Sequence, residues 1–156
     1  MSRASLEAAI PAGATIVLDS SAILAYLDGN ETVSSAAALV IDGFVATGRN
    51  AALVSAVTVT EALVRPMRAN STSAIALIEA FLGHFANLRL EPVSFGVARE
   101  AARIRAATAL RTPDALILGT AVVAGAGSVV TNDDRWQTAI ETAGLRLTLC
   151  QLDDHV

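Results

Sequence analysis

The chain has 156 residues, 53% of them hydrophobic and 17% charged, with a net charge of −4 and a mean hydropathy of +0.54. These totals fit one folded domain that buries most of its apolar surface, and they exclude a disordered or fibrous chain. All eleven basic residues are Arg, with one Cys and two His, which removes Walker A nucleotide binding, Schiff-base chemistry, disulfides and Cys-rich zinc sites and leaves a Ser-His-Asp triad little to draw on.

Residues 1–14, with Pro11 and Gly13, read as a weakly structured lead-in to a single domain over 15–156. Glu7 and Pro11 interrupt the apolar stretch that a signal peptide needs, so a cytoplasmic location is expected. Thr15 to Leu18 is a continuous apolar run ending in Asp19, Ser20 and Ser21, the pattern of a strand buried on both faces. Ser20 or Ser21 caps a short helix over Ala22 to Leu27, and an Ala-rich helix is predicted from Thr32 to Thr47. A second strand follows at Ala51 to Val54, then helices over Thr58 to Ala69 and from Ser71 to Phe85, with Pro66 kinking or ending the first. His84 on the latter reads as a surface residue.

Leu88 to Val93 alternates and contains Pro92, so it reads as a third strand near an edge. Ser94 to Leu110 is helical by its spacing, and Thr112-Pro113-Asp114 opens the next helix, with Thr as cap and Pro at the first position. The longest charge-free run, Ala115 to Asn132, is broken by Gly119, Gly125 and Gly127. A spanning helix needs roughly 20 apolar residues, so this run is expected to be buried core and not membrane. Ser128 to Thr131 is a fourth strand, Asp134 to Ala143 a helix with Trp136 as a packing residue, and Leu145 to Leu149 a fifth strand. Strands alternating with helices predict an α/β fold, a three-layer α/β/α sandwich around a parallel central sheet of about five strands.

Four acids stand out by position. Each has an ordinary explanation when taken alone. Asp19, Asp133 or Asn132 can be simple helix caps, Asp114 favours its helix dipole, and Thr58-x-x-Glu61 is a capping box. Together they carry more information, because junctions after parallel strands share one edge of the sheet, and chemistry in open α/β sheets sits there. Carboxylates gathered at that edge repel one another unless protonated or bound to a cation, and hard oxygen donors suit Mg²⁺ or Mn²⁺. Such an ion activates water for attack on a phosphodiester.

Leu18-Asp19-Ser20-Ser21-Ala22, Ser55 to Glu61, Leu110 to Ile117 and Val130-Thr131-Asn132-Asp133 together resemble the PIN domain, most closely the VapC toxins of type II toxin–antitoxin modules. The resemblance runs from about residue 15 to 150, with the motifs in the family's order. It implies a parallel sheet flanked by helices, a Mg²⁺- or Mn²⁺-dependent endoribonuclease, a homodimer, and a VapB-type antitoxin that blocks the site. By motif, Asp19 and Asp114 would be the principal metal ligands, with Glu61 and Asp133 completing the acidic cluster directly or through water. Ser21, Thr131 and Asn132 would be supporting polar groups near the substrate, and Asp134 competes with Asp133 for the inward position.

A net charge of −4 sits badly with an RNA substrate, since phosphate contacts supply most of the affinity. Setting aside the four site acids leaves eleven acids against eleven Arg, so the remainder is neutral by count. Arg99, Arg103, Arg111 and Arg135 are the candidates for phosphate contact. The apolar early helices, Ala22 to Leu27 and Ala36 to Val45, are expected to face an antitoxin and a second copy of the chain, and an Arg of the antitoxin would pair naturally with the acids. Two other classes compete. A non-catalytic PIN-fold RNA-binding or protein-interaction module would be expected to lack one of the acids. Receiver domains and aspartate-nucleophile phosphatases need a Lys that this chain does not have.

Overall fold

A computed structural model describes residues 3–156. Five parallel strands form its centre: β1 (Ile16–Leu18), β2 (Ala52–Ser55), β3 (Leu88–Glu91), β4 (Ser128–Thr131) and β5 (Thr148–Gln151), in the order β3-β2-β1-β4-β5. Helices cover both faces: α1 (Arg3–Ala9), α2 (Ser20–Asp28), α3 (Ser34–Ala38), α4 (Ala56–Arg68), α5 (Thr72–His84), α6 (Phe95–Ala107), α7 (Thr112–Val123) and α8 (Arg135–Thr142). A 3-10 turn closes the chain at Leu152–His155. The predicted three-layer sandwich and the edge position of β3 are as expected.

The apolar strand runs explain the two faces. Side chains alternate across a strand, so Ile16, Leu18, Val54 and Val130 point into one core with α1, α2, α3 and α5, while Val17, Leu53 and Val129 point into the other with α6, α7 and α8. Register follows from this alternation, with Val17 opposite both Leu53 and Val129, and Val130 opposite Cys150. Burial pushes the Cys150 thiol up to about 12, which leaves it an inert packing group. No helix among the described residues is long and apolar enough to cross a membrane.

Several expectations need correction. Met1 and Ser2 lie outside the described residues, but the rest of the lead-in is not loose, because α1 buries Leu6 and the following Ile10 is also buried. The Ala-rich run is helical over 34–45 as expected, but it is not α-helical throughout. After α3 the chain widens into a π-helical segment, Leu39–Val45, and its apolar face is buried in the chain's own core: Val40, Ile41, Phe44 and Val45 are at most 1% exposed. It therefore offers little to a partner. Thr58 makes no capping box, since Ser55 caps α4 by accepting from Val57 N–H and Thr58 Oγ1 is buried without a hydrogen bond. Arg111, not Thr112, holds the N-cap position of α7. The fifth strand starts three residues later than expected, at Thr148 instead of Leu145.

Asn50 ties the N-terminal segment to the sheet. Its Nδ2 donates to Pro11 O at 2.9 Å and Ala14 O at 2.7 Å, while its Oδ1 accepts from Arg49, whose guanidinium lies 4.1 Å from the centre of the Phe44 ring. Asn50→Ala removes the side-chain donor from both carbonyls at a position that is 1% exposed, leaving Pro11 O only its 3.2 Å bond from Ala14 N–H. An expected loss of ~2 kcal/mol, read by urea unfolding, follows from the cost of buried unsatisfied acceptors.

Candidate active site

The sheet order reverses direction at β1, between β2 on one side and β4 on the other. Loops leaving the carboxyl ends of β1 and β4 therefore diverge, and a crevice opens between them. A pocket of about 330 Å³ lies there, lined by Asp19, Ser20, Ser21, Glu61, Arg111, Asp114, Asn132, Asp133, Asp134 and Arg135. All four acids singled out in the sequence reach it.

Asp19 follows β1 and is 5% exposed. It occupies the N-cap position of α2 without using its carboxylate as a cap. Instead Oδ2 accepts from Ser21 Oγ and from Thr131 Oγ1, each at 2.9 Å. Thr131 Oγ1 and Ser21 Oγ in turn accept from the Asp133 and Asn132 backbone N–H groups, at 3.1 and 2.9 Å. The loops after β1 and β4 are thus stitched together through one carboxylate. Ser21 and Thr131, expected near the substrate, spend their hydroxyls on orienting Asp19. Asn132 accepts through Oδ1 from Asp153 N–H. Ser20, which the sequence did not single out, donates to Glu61 Oε2 at 3.3 Å and approaches Asp19 Oδ1 at 3.5 Å. Its place directly after Asp19 was the available signal.

Burial, together with the negative charge of Asp19, raises the Glu61 carboxyl above its ordinary range. Asp114, 5% exposed on the first turn of α7, is also raised by burial, against the pull of Arg111, whose Nε donates to its Oδ2 at 3.3 Å. Asp133 goes the other way: hydrogen bonds from Arg135 hold it below its ordinary range. Arg135 also comes within 4.0 Å of Asp114. Asp134 lines the pocket too, but it stands exposed at the N-cap of α8 without a cap hydrogen bond. Asp133 is the acid tied into the network. Arg99 and Arg103 do not line the pocket, and Arg103 is engaged with Glu100 and the Ala143 carbonyl.

Among the described residues no three acids converge tightly enough to form a ready metal cage. Arg111 pairs with Asp114, while Arg135 pairs with Asp133 and also reaches Asp114. The donor set still fits a hard divalent cation. Among the described residues no arginine is hydrogen-bonded to Asp19 or Glu61, Glu61 and Asp114 carry an unfavourable cost of ionisation, and every donor is a carboxylate or hydroxyl oxygen.

That cost has a measurable consequence. A carboxyl raised on folding favours the folded state on the acid side, and the benefit is lost as pH rises from the ordinary carboxylate range through its raised value. At neutral pH Glu61 therefore weakens the metal-free fold. Glu61→Gln is expected to raise the melting temperature in chelator by ~1–2 °C at pH 7, after discounting for its partial exposure, and to reverse this advantage when Mn²⁺ is added. A lower melting temperature in chelator would contradict the electrostatic account.

A doubly wound parallel sheet with acids gathered at its switch point defines a class, and the chain belongs to the PIN domain family, whose profile matches residues 16–141. No curated protein is detectably similar to it in sequence. Among solved structures it is similar to FitAcB from Neisseria gonorrhoeae, with a TM-score of 0.68 at 19% identity over 90% of this chain and 99% of that one. VapC20 from Mycobacterium tuberculosis, described as a sarcin–ricin loop cleaving toxin, superposes with a TM-score of 0.62 at 16% identity, covering 80% of this chain and 94% of that one. VapBC-5, a toxin–antitoxin system of the same organism, gives a TM-score of 0.59 at 25% identity, covering 88% and 98%.

Proposed function

We propose that this chain is a divalent-metal-dependent endoribonuclease, the toxin of a VapBC-type toxin–antitoxin pair. One observation carries the reading: Asp19, Glu61, Asp114 and Asp133, scattered along the chain, line one pocket at the carboxyl edge of the sheet beneath two arginines. Asp19, Asp114 and Glu61 would hold Mg²⁺ or Mn²⁺, with Asp133 joining once Arg135 turns away. The bound ion supplies positive charge for the scissile phosphate and makes water a nucleophile at neutral pH. Ser21 and Thr131 fix the Asp19 carboxylate in one orientation. Glu61 would complete the carboxylate set around the ion, directly or through a water. Arg111 and Arg135, half-exposed at the mouth, are suited to bidentate phosphate contact.

A groove of about 510 Å³ between α2, α4 and α5 supports an antitoxin partner, since Leu24 and Leu27 line it beside Ala62, Pro66 and Leu77. A homodimer is part of the same proposal. A second reading, a non-catalytic PIN-fold module, draws on the arginine clamps over Asp114 and Asp133.

Calorimetry and an RNA digest separate the two. Mn²⁺ is expected to bind the purified protein, and RNA cleavage to stop in chelator and return with Mn²⁺ or Mg²⁺. No heat of binding together with no cleavage would establish the non-catalytic reading.

A further inference from the structure

We infer that the cavity between the 107–111 loop and α8 seats a nucleotide of the RNA next to the cleaved bond. This rests on the endoribonuclease reading. The cavity measures about 460 Å³ and shares Arg111 and Arg135 with the acidic pocket, so the two adjoin across an arginine ridge. A small-ligand site occupies roughly 300–1,000 Å³, so there is room for a base and its ribose.

Charge selects the occupant. The chain carries a net −4, yet among the described residues this cavity is lined by no acid and by two arginines, whose carboxylate partners all lie in the adjoining pocket. The groove between α2, α4 and α5 instead sets two acids, Asp28 and Glu31, against one Arg65. A phosphodiester crossing the ridge would meet Arg111 and Arg135 as their carboxylate partners turn to a metal ion. Arg135, Thr138, Ala139 and Thr142 recur at helical spacing, so one stripe of α8 forms a wall. Thr138 and Thr142 are exposed and present hydroxyls, while Leu110 and Ala139 supply the apolar floor. Among the described residues no aromatic ring lines the cavity, and arginine planes can take over base stacking.

Both walls are built in advance. Thr108 Oγ1 donates to Ile104 O at 2.9 Å and accepts from Leu110 N–H at 3.3 Å, and Arg105 Nε donates to Leu110 O at 3.2 Å. Arg103 reaches from α6 to Ala143 O, just past the end of α8, at 3.2 Å. A binding surface fixed in this way loses little entropy when occupied.

The test measures binding and cleavage separately. A short fluorescein-labelled single-stranded RNA of random sequence is titrated into Asp19→Asn protein that also carries Thr138→Glu, or Gln137→Glu on the neighbouring exposed position. Thr138→Glu is expected to weaken binding about tenfold, or 1.4 kcal/mol, while Gln137→Glu changes it less than about twofold. With active protein, Thr138→Val is expected to alter the base preference at one position beside the cut, read by sequencing the products. Equal effects of the two Glu substitutions, or an unchanged cleavage pattern, would overturn the inference. Wild-type protein that cleaves RNA while Thr138→Glu still binds normally removes the cavity and leaves the nuclease reading. Wild-type protein that binds without cleaving, with Thr138→Glu weakened, does the reverse. Matching melting curves for the variants show that the fold is kept.

Discussion

Asp19→Asn is expected to lower RNA cleavage by at least ~1,000-fold, with a melting temperature in chelator no lower than wild type. The substitution is nearly isosteric. An amide oxygen placed where Oδ2 now lies keeps the hydroxyl donors of Ser21 and Thr131, so the stitch between the loops after β1 and β4 survives. What is lost is the negative charge of a 5% exposed carboxylate at the centre of the acid cluster. Glu61, raised in part by that charge, then ionises more easily, and the metal-free fold gains slightly. Metal affinity falls because a neutral amide replaces an anionic donor. Removing an orienting hydroxyl, as in Ser21→Ala, leaves the charge in place and is expected to cost ~10–100-fold. An Asp19→Asn protein that cleaves as fast as wild type would end the nuclease proposal. So would a Ser21→Ala protein that loses more than Asp19→Asn.

The strands β1, β2 and β4 were legible because each is a continuous apolar run, and only a strand covered on both faces tolerates that pattern. The acid cluster was legible for a related reason: Asp19, Glu61 and Asp133 each follow such a run, and Asp114 opens a helix between two of them. The pairing of Arg111 with Asp114 and Arg135 with Asp133 was missed, although they are separated by three and two residues. Sequence spacing alone does not distinguish an arginine that meets a phosphate from one that neutralises a nearby acid. β5 was misplaced because Leu145-Arg146-Leu147 alternates like a strand. Leu145 N–H still donates to Ile140 O, closing the end of α8 around Gly144 at a φ of 63°, so the ladder cannot begin there. The π-helical segment after α3 left no trace in the Ala-rich run, since apolar spacing does not register one extra residue in a turn.

Gly119 shows how the fold positions the site. It sits in the middle of α7, the helix that carries Asp114 at its start. A Cβ on it would lie 2.9 Å from Val97 O and 3.1 Å from Ala101 N, both backbone atoms of α6. Two opposing effects follow from Gly119→Ala. Helix propensity favours Ala by ~1 kcal/mol, while overpacking costs ~1–3 kcal/mol where neighbours cannot move aside. Backbone atoms inside a helix have no rotamer to change, so the clash wins and the net loss is expected near 2 kcal/mol, or a melting temperature lower by ~4–8 °C. Gly83 on α5 provides the opposite case, because a Cβ there meets nothing within 4 Å. Gly83→Ala is expected to stabilise by ~0.5–1 kcal/mol through propensity alone. The same substitution should thus change sign between the two helices. In Gly119→Ala, moving α7 away from α6 also shifts Asp114 against Asp19, so metal affinity should fall along with stability. Gly83→Ala should leave metal affinity unchanged. Equal and positive shifts in both proteins would mean that α6 and α7 do not approach closely at Gly119, and that Asp114 is positioned by something other than this crossing.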